Sequence, residues 1–197
     1  QEIAEVAGEV LQQAQLGARD EQCGDRDLSL NSTHAAYRLY VSLGFTKEAI
    51  VYQYQGDVAP KLPPLPELNG QLSELSNDNV EEINALDTRA FGTDRGKLLA
   101  LLAEGASVCT LRRGDEIVGY SMCREFGRGH VVGPIVASND QDAIHLTAVH
   151  LKDLAGRFAR VDTREKGLFA EFLQQSRLAV SETVTTMSKG RRFLNRK

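Results

Sequence analysis

Apolar and polar residues alternate along this chain in patterns that predict a regular succession of helices and strands. Residues 2–16 carry apolar side chains at helical spacing, which predicts an amphipathic helix. Residues 28–30 read as a short strand with leucines on one face, and Thr33 is suited to cap a helix over 34–44 that ends in glycine. A second strand is predicted over residues 45–54.

A proline-rich segment follows the second predicted strand. Four of the five fall close together, and they predict a stiff, extended connector without a helix: Pro60, Pro63, Pro64 and Pro66. We interpret this connector as a domain boundary. It divides the chain into a first domain over residues 1–55, a linker over 56–76 and a second domain over 77–197.

The second domain has its own succession of predicted elements, in which two helices precede three strands and two helix-strand pairs close the chain. The first helix is capped within residues 77–79, and the later elements are 97–103, 106–111, 116–126, 130–137, 140–156, 158–162, 167–175 and 179–187. Pro134 interrupts the third strand, so a bulge or an unpaired stretch is expected there. Both domains end in the order helix-strand-helix-strand, which is a topological match without sequence identity.

Composition narrows the function classes. With 42% hydrophobic and 25% charged residues, the chain is that of a folded globular protein. No apolar run approaches the ~18 residues of a membrane span, and no secretory leader is recognisable, so no membrane partner is expected. The net charge of -4 disfavours nucleic acid as a partner.

Cysteine and histidine spacing gives no sign of a metal site. The three cysteines are odd in number and lack C-x-x-C spacing, which indicates reduced thiols and a cytoplasmic location: Cys23, Cys109 and Cys123. His145 and His150 are five residues apart and therefore lie off a common helix face, and the chain has no H-E-x-x-H motif. No metal ligand is predicted.

The segment Leu28–Phe45 is the most informative part of the sequence. It carries a threonine, a Leu-Tyr pair ending at Tyr40 and a final Leu-Gly-Phe, in the pattern S/A-T-x-x-x-x-x-L-Y-x-x-L-G-F. This pattern resembles the last strand-helix-strand unit of the GNAT superfamily of acetyl-CoA-dependent N-acetyltransferases. The second domain resembles the carboxyl-terminal domain of a bacterial tandem-GNAT group, through Ala85-Leu86-Asp87-x-x-x-Phe91-Gly92-x-Asp94-Arg95, Val118-Gly119-Tyr120 and Val132-Gly133-Pro134-Ile135-Val136-Ala137.

The resemblance implies an α/β fold of the α+β kind, in which a mixed, mostly antiparallel sheet is flanked by helices. It further implies a partial first copy of the domain followed by a complete second copy. With acetyl-CoA as co-substrate, Tyr40 is expected to act as the general acid toward the CoA thiolate. Asn31, Ser32, Thr33 and Tyr37 are expected to contact the cofactor. The alternatives are that Tyr40 only packs its ring against the sheet and that Thr33 only caps the helix.

The two domains differ in the features that catalysis requires. In the family the pyrophosphate binds a glycine-rich turn at a helix N-terminus, and for the first domain that turn would precede residue 1, so we expect a chain truncated within its first domain. In the second domain the corresponding turn, residues 138–142, has no glycine and two acids, and carboxylates repel a pyrophosphate. Leu173 stands where the tyrosine would be. The second domain is therefore predicted to be divergent and non-catalytic.

These observations predict an enzyme that moves an acetyl group from acetyl-CoA to a primary amine of a small molecule or a protein. Direct attack of the amine on the thioester is expected in the first domain. The alternative is a non-catalytic module that binds an acyl-CoA or a partner. No general base is distinguished among the carboxylates, which are expected to be solvated surface charges: Asp87, Asp94, Glu104, Glu116 and Glu125. A half-domain with an exposed sheet side favours a homodimer.

Overall fold

The computed structural model describes residues 28–74, 80–164 and 166–190. The helix predicted over residues 2–16, the cap within 77–79, Cys23 and the basic tail over 191–197 lie outside these residues. Within them the chain forms eight strands and five helices. None of these helices is long and apolar enough to cross a membrane.

The elements follow in the order β1-α1-β2-β3-α2-α3-β4-β5-β6-α4-β7-α5-β8. The strands are β1 (Leu28–Ser32), β2 (Thr46–Asp57), β3 (Gln71–Glu74), β4 (Ala106–Arg113), β5 (Glu116–Phe126), β6 (Gly129–Val136), β7 (Phe158–Thr163) and β8 (Ala179–Lys189). The helices are α1 (Tyr37–Ser42), α2 (Val80–Phe91), α3 (Gly96–Ala103), α4 (Asp140–Asp153) and α5 (Leu168–Gln175).

Most predicted elements of the second domain are confirmed, with shifts of a few residues at their ends. The first helix is shorter than predicted, because residues 34–36 form a turn and α1 begins only at Tyr37. The amide of Ala36 donates to Thr33 Oγ1 at 3.4 Å, so Thr33 caps this turn rather than the helix itself. The sequence analysis missed β3, which has no β-branched residues and is held by its pairing with β4.

One sheet contains all eight strands, in the order β1-β8-β2-β7-β6-β5-β4-β3. Neighbouring strands are antiparallel except β6 and β7, so the expectation of a mixed, mostly antiparallel sheet flanked by helices is confirmed. Strand β8 lies between β1 and β2, while β2 lies between β8 and β7. The units β1-α1-β2 and β7-α5-β8 therefore interlock, and each inserts its second strand between the two strands of the other.

The helices cover both faces of the sheet. Successive residues of β5 point to opposite faces, and they join different apolar clusters. Tyr120 and Met122 pack with Ile83 of α2 and Leu99 of α3. Cys123, by contrast, belongs to the cluster that α4 and α5 contribute to, with its fully buried members Leu151, Ala159, Val161, Leu173 and Leu178.

The proline-rich connector is extended and non-helical, as predicted, and it packs against the second half of the chain. Leu62 and Leu65 contact the cluster under α4 and α5. The carbonyl oxygen of Pro66 lies 2.8 Å from His145 Nε2, and the ring nitrogen must donate because a carbonyl can only accept. The segment is therefore part of the packed structure and joins strands of the same sheet.

Two of the three thiols lie in the described residues, and both are buried and free. Burial raises the pKa of Cys109 and of Cys123 to about 11. Only the thiolate reacts, so in a Cys23→Ser variant at pH 8 we expect both thiols to react with a disulfide reagent about 100-fold more slowly than an exposed cysteine. Full reactivity should appear on unfolding. Rapid labelling of the native protein would contradict the buried positions.

Candidate active site

The three polar residues at the end of β1 each have a structural partner. Asn31 Oδ1 accepts a hydrogen bond from Thr186 Oγ1 of β8 at 2.8 Å. Ser32 is buried, and its hydroxyl donates to the carbonyl oxygen of Thr33 at 2.9 Å. Asn31 and Thr33 remain exposed at the surface. This strand end is therefore fixed in place by its own hydrogen bonds, and two of its three side chains border solvent.

Tyr37 and Tyr40 lie one turn apart on α1, and both are partly buried. The ring of Tyr40 packs edge-on against Phe45, with 5.6 Å between ring centroids. No described residue forms a hydrogen bond with its hydroxyl group. The structure thus brings the two tyrosines to one side of the helix that follows β1, where the sequence analysis placed them.

Helix α1 and helix α5 end in the same hydrogen-bonded motif. After α1, the amide of Phe45 donates to the carbonyl of Tyr40 at 3.0 Å; after α5, the amide of Leu178 donates to the carbonyl of Leu173 at 3.0 Å. Both helices also have the second hydrogen bond of this Schellman motif. The amide of Gly44 donates to the carbonyl of Val41, and the amide of Arg177 donates to the carbonyl of Gln174. Leu173 is therefore the structural equivalent of Tyr40, as predicted from the order of elements in the two units.

The equivalent positions differ in environment. Tyr40 is partly exposed, whereas Leu173 is fully buried in the core. A hydroxyl group at position 173 would have no access to a substrate. Only the first unit places a proton-donating side chain at this point, and only there is the side chain partly open to solvent.

The left-handed residue after each helix gives a test of this equivalence. Gly44 has φ of 86° and Arg177 has φ of 66°, a conformation that costs a non-glycine residue roughly 1–2 kcal/mol. Because glycine also loses more entropy on folding, we expect Arg177→Gly to raise the free energy of unfolding by about 0.5–1 kcal/mol. Gly44→Ala should lower it by a similar amount. Urea unfolding measures both, and a destabilised Arg177→Gly variant would contradict the motif.

Strands β6 and β7 separate after a short parallel stretch. Their last pair is Val132 with Val161; beyond it β6 remains paired only with β5, and β7 only with β2. A register shift in the β5–β6 pairing occurs at the same level, so the break predicted around Pro134 is confirmed. Nothing lies within 4 Å of the position a side chain would take at Gly133. The result is an opening in the sheet between β6 and β7, with unfilled space next to Gly133.

The turn between β6 and α4 is already occupied by its own side chains. Asn139 Oδ1 accepts from the amide of Asp142 at 2.9 Å and caps the helix. Asp142 forms an ion pair with Arg113, and Asp140 accepts from the amide of Phe169 at the start of α5. The two acids that the sequence analysis regarded as repulsive to phosphate thus hold neighbouring elements together.

A buried polar cluster that was not predicted from the sequence lies beneath α2 and α3. The expectation that Asp87 is a solvated surface charge is wrong, because the residue is fully buried. Arg95 Nε and Nη2 donate to its carboxylate at 2.6 and 2.8 Å, and the hydroxyl of Tyr120 donates to it as well. The eight-residue spacing between Asp87 and Arg95 in Asp87-x-x-x-Phe91-Gly92-x-Asp94-Arg95 was the available signal, since Arg95 also stacks on Phe91.

The electrostatics of this cluster favour a fixed protonation state. Hydrogen bonding to Asp87 raises the pKa of Arg95. Burial, followed by the hydrogen bond to Asp87, raises the pKa of Tyr120 above its ordinary value. The cluster therefore keeps the guanidinium of Arg95 charged and the phenol of Tyr120 neutral at physiological pH. The side chains of Asp87, Arg95 and Tyr120 satisfy one another's hydrogen bonds, which indicates a structural role.

Another buried pair involves His150 of α4. Its Nε2 lies 2.9 Å from Ser121 Oγ, and that hydroxyl donates to the carbonyl of Leu146 at 2.8 Å. Since the hydroxyl proton is used there, the ring nitrogen donates to Ser121. Burial lowers the pKa of His150, so the imidazole is held neutral. This arrangement ties α4 to β5.

Comparison with known families and structures assigns the fold. The model of the family described as Acetyltransferase (GNAT) domain matches residues 83–197, more than half of the chain. The uncharacterized N-acetyltransferase YitH of Bacillus subtilis (strain 168) is 25% identical over 121 residues, covering 60% of this chain and 42% of that protein. The chain thus spans less than half the length of this curated relative.

Solved structures agree on the fold. A proposed acetyltransferase of Pyrococcus horikoshii superposes with a TM-score of 0.68 at 21% identity, covering 94% of this chain and 59% of that one. A GCN5-related N-acetyltransferase of Sphaerobacter thermophilus gives 0.57 at 12% identity, covering 86% and 61%. At these identities the likeness concerns the fold alone.

Proposed function

This chain belongs to the GNAT acetyltransferase domain family, and from that premise we propose that it moves an acetyl group from acetyl-CoA to a primary amine of a small molecule or a protein. The observation that carries the proposal is the difference between the two interlocked units. The first has a partly exposed tyrosine at the third residue before the helix cap, and the second has a buried leucine at the equivalent place.

The proposed reaction is a direct transfer. The amine nitrogen attacks the thioester carbonyl carbon, the carbon–sulfur bond breaks, and the departing thiolate takes a proton from the hydroxyl of Tyr40. The amine loses a proton to solvent or to a base that we do not assign. Asn31 and Ser32 lie at the end of β1 and Thr33 directly follows them, while Tyr37 lies one turn before Tyr40 on α1. We propose that these four residues contact the pantetheine arm of acetyl-CoA.

The α4 turn does not fit the pyrophosphate of acetyl-CoA. Its helix amides are capped by Asn139, and the carboxylates of Asp140 and Asp142 lie in the first turn. We therefore place no phosphate contact there. The expected phosphate site belongs to the first unit, and we propose that it lies before residue 28.

A second candidate function follows from the same turn. A divergent unit without a tyrosine and with an acidic helix start suits a non-catalytic module that binds an acyl-CoA or a partner protein. Its opening between β6 and β7 could admit a linear group without any phosphate contact. This alternative predicts binding without turnover.

Release of free CoA thiol separates the two functions. We expect an enzyme to release CoA from acetyl-CoA when a panel of primary amines is supplied, whereas a binding module releases none. Calorimetry with acetyl-CoA on this chain and on a version extended at its N-terminus tests the location of the phosphate site. Micromolar binding by a version of this chain that begins at residue 28 would contradict a site before that residue.

A further inference from the structure

Arginine and phenylalanine side chains gather at the end of the sheet where β5, β6 and β7 begin or end. Strand pairing places Arg124, Val131 and Arg160 in one row across these strands, on the same face. The ring of Phe126 lies 5.5 Å from Cζ of Arg124 and 5.7 Å from Cζ of Arg160. Phe126 is 49% exposed, so this ring is open to solvent.

The β5–β6 turn extends the group. Cζ of Arg128 lies 4.0 Å above the ring of Phe158, the first residue of β7. Arg128 itself is exposed. We call Arg124, Phe126, Arg128 and Phe158 the arginine patch.

The charges of the arginine patch are not balanced by neighbouring acids. Arg160, beside the patch, forms two hydrogen bonds with Asp162 at 2.8 and 2.7 Å and is neutralised. Arg124 and Arg128 take part in no ion pair with any described residue. The Nε of Arg124 is buried and has no hydrogen-bond partner among those residues. Asp57 pairs with Phe158 across β2 and β7, yet it forms no ion pair with either arginine.

A buried guanidinium nitrogen without an acceptor is costly, because it has lost water and gained nothing in exchange. An arginine whose guanidinium lies over an aromatic ring keeps N–H groups that the ring does not use, and these remain available for a planar, bidentate acceptor. Carboxylates and phosphates have the geometry to use such an edge. The patch therefore lacks one component, an oxyanion.

We propose that the arginine patch binds the carboxylate or phosphate group of a small ligand, with the adjoining part of the ligand resting on Phe126. The patch lies next to the opening in the sheet, since the row of Val131 and Arg160 directly precedes the last parallel pair of β6 and β7. A rise of about 3.3 Å per residue puts the opening within reach of a small molecule. The proposal does not rest on acetyl transfer, because none of the observations behind it involves Tyr40.

A titration followed by backbone amide NMR tests the proposal on this chain. The probes are inorganic phosphate, benzoate and, as an uncharged control for benzoate, benzyl alcohol. We expect saturable shifts for at least one of the two anions, confined to residues 124–131 and 157–160. A preference for phosphate or for benzoate identifies the type of oxyanion. Benzyl alcohol should give no saturable shift.

Three variants identify the binding group. Arg124→Gln should weaken binding of the preferred anion by about tenfold or more, and Arg124→Lys should weaken it by less because only the bidentate edge is lost. Arg38→Gln, an exposed arginine on α1, is the matched control and should bind as the unaltered chain does. Folding is checked by the unchanged amide spectrum outside the patch. Equal anion affinity in Arg124→Gln, shifts centred elsewhere, or no saturable shift would each overturn the proposal.

Discussion

Replacing Asp87 by alanine is expected to lower the free energy of unfolding by about 3–5 kcal/mol, the range for breaking a buried ion pair by removing one partner. The carboxylate is fully buried and accepts from both Arg95 and Tyr120. Its loss leaves the phenol of Tyr120 without an acceptor in a fully buried position. It also leaves the guanidinium of Arg95 without its counter-charge. Urea unfolding followed by circular dichroism measures the change.

A matched control separates this effect from the loss of any ion pair. Glu82 pairs with Arg112 at 3.0 Å on the surface, where the side chain of Glu82 is 44% exposed. Glu82→Gln should change the free energy of unfolding by less than about 1 kcal/mol. If Asp87→Ala and Glu82→Gln destabilise the protein equally, the buried cluster does not have the role we assign to it.

The same cluster predicts how stability depends on alkaline pH. The pKa of Tyr120 is raised in the folded protein, so the folded state keeps its proton more firmly than the unfolded state. The protonated phenol of Tyr120 therefore stabilises the folded state fully below the ordinary tyrosine pKa of about 10, and this stabilisation is lost as pH rises above that value. Tyr120→Phe should be less stable than the unaltered chain at neutral pH and should lose stability less steeply above pH 10. An unchanged slope would remove Tyr120 as the responsible group.

The local elements could be predicted from sequence because periodicity and glycine stops are local signals. Strand β5 was predicted at its observed bounds, and the ends of α1 and α5 follow from Gly44 and from the apolar residues after each helix. The interlocking of the two units could not be predicted in this way. Whether β8 inserts between β1 and β2 depends on strands that are about 140 residues apart in the sequence, such as β2 and β8 at Thr46 and Ser188. A local sequence pattern does not indicate which distant strand is the partner.

The burial of polar side chains was also beyond sequence reasoning. An aspartate is usually a surface residue, which is why the sequence predicts a solvated charge at Asp87. Its burial depends on Arg95 from the α2–α3 loop and on Tyr120 from β5, and these two residues meet only when the helices pack on the sheet. The arginine patch is similar, because its members come from β5, from the β5–β6 turn and from β7, and they become neighbours only when these strands pair.

Replacing Tyr40 by phenylalanine is expected to lower kcat by about 10²–10⁴-fold, the usual contribution of a general acid, in any form of the protein that releases CoA. The KM for acetyl-CoA should change little, because phenylalanine keeps the ring and its edge contact with Phe45. Stability should also be unchanged, since no described residue hydrogen-bonds the hydroxyl. Initial rates of thiol release give both constants.

Tyr37→Phe is the matched control for this prediction. It removes the same hydroxyl from the same helix, one turn earlier and at a similar degree of burial. If Tyr40 donates the proton and Tyr37 only contacts acetyl-CoA, Tyr37→Phe should raise KM and leave kcat nearly unaltered. Full turnover in Tyr40→Phe would exclude Tyr40 as the acid. Equal losses of kcat in the two variants would instead indicate that both hydroxyls act through a shared effect on the helix. The thiolate sulfur takes its proton from one hydroxyl only, so proton donation by Tyr40 predicts a large loss of kcat in one variant and not in the other.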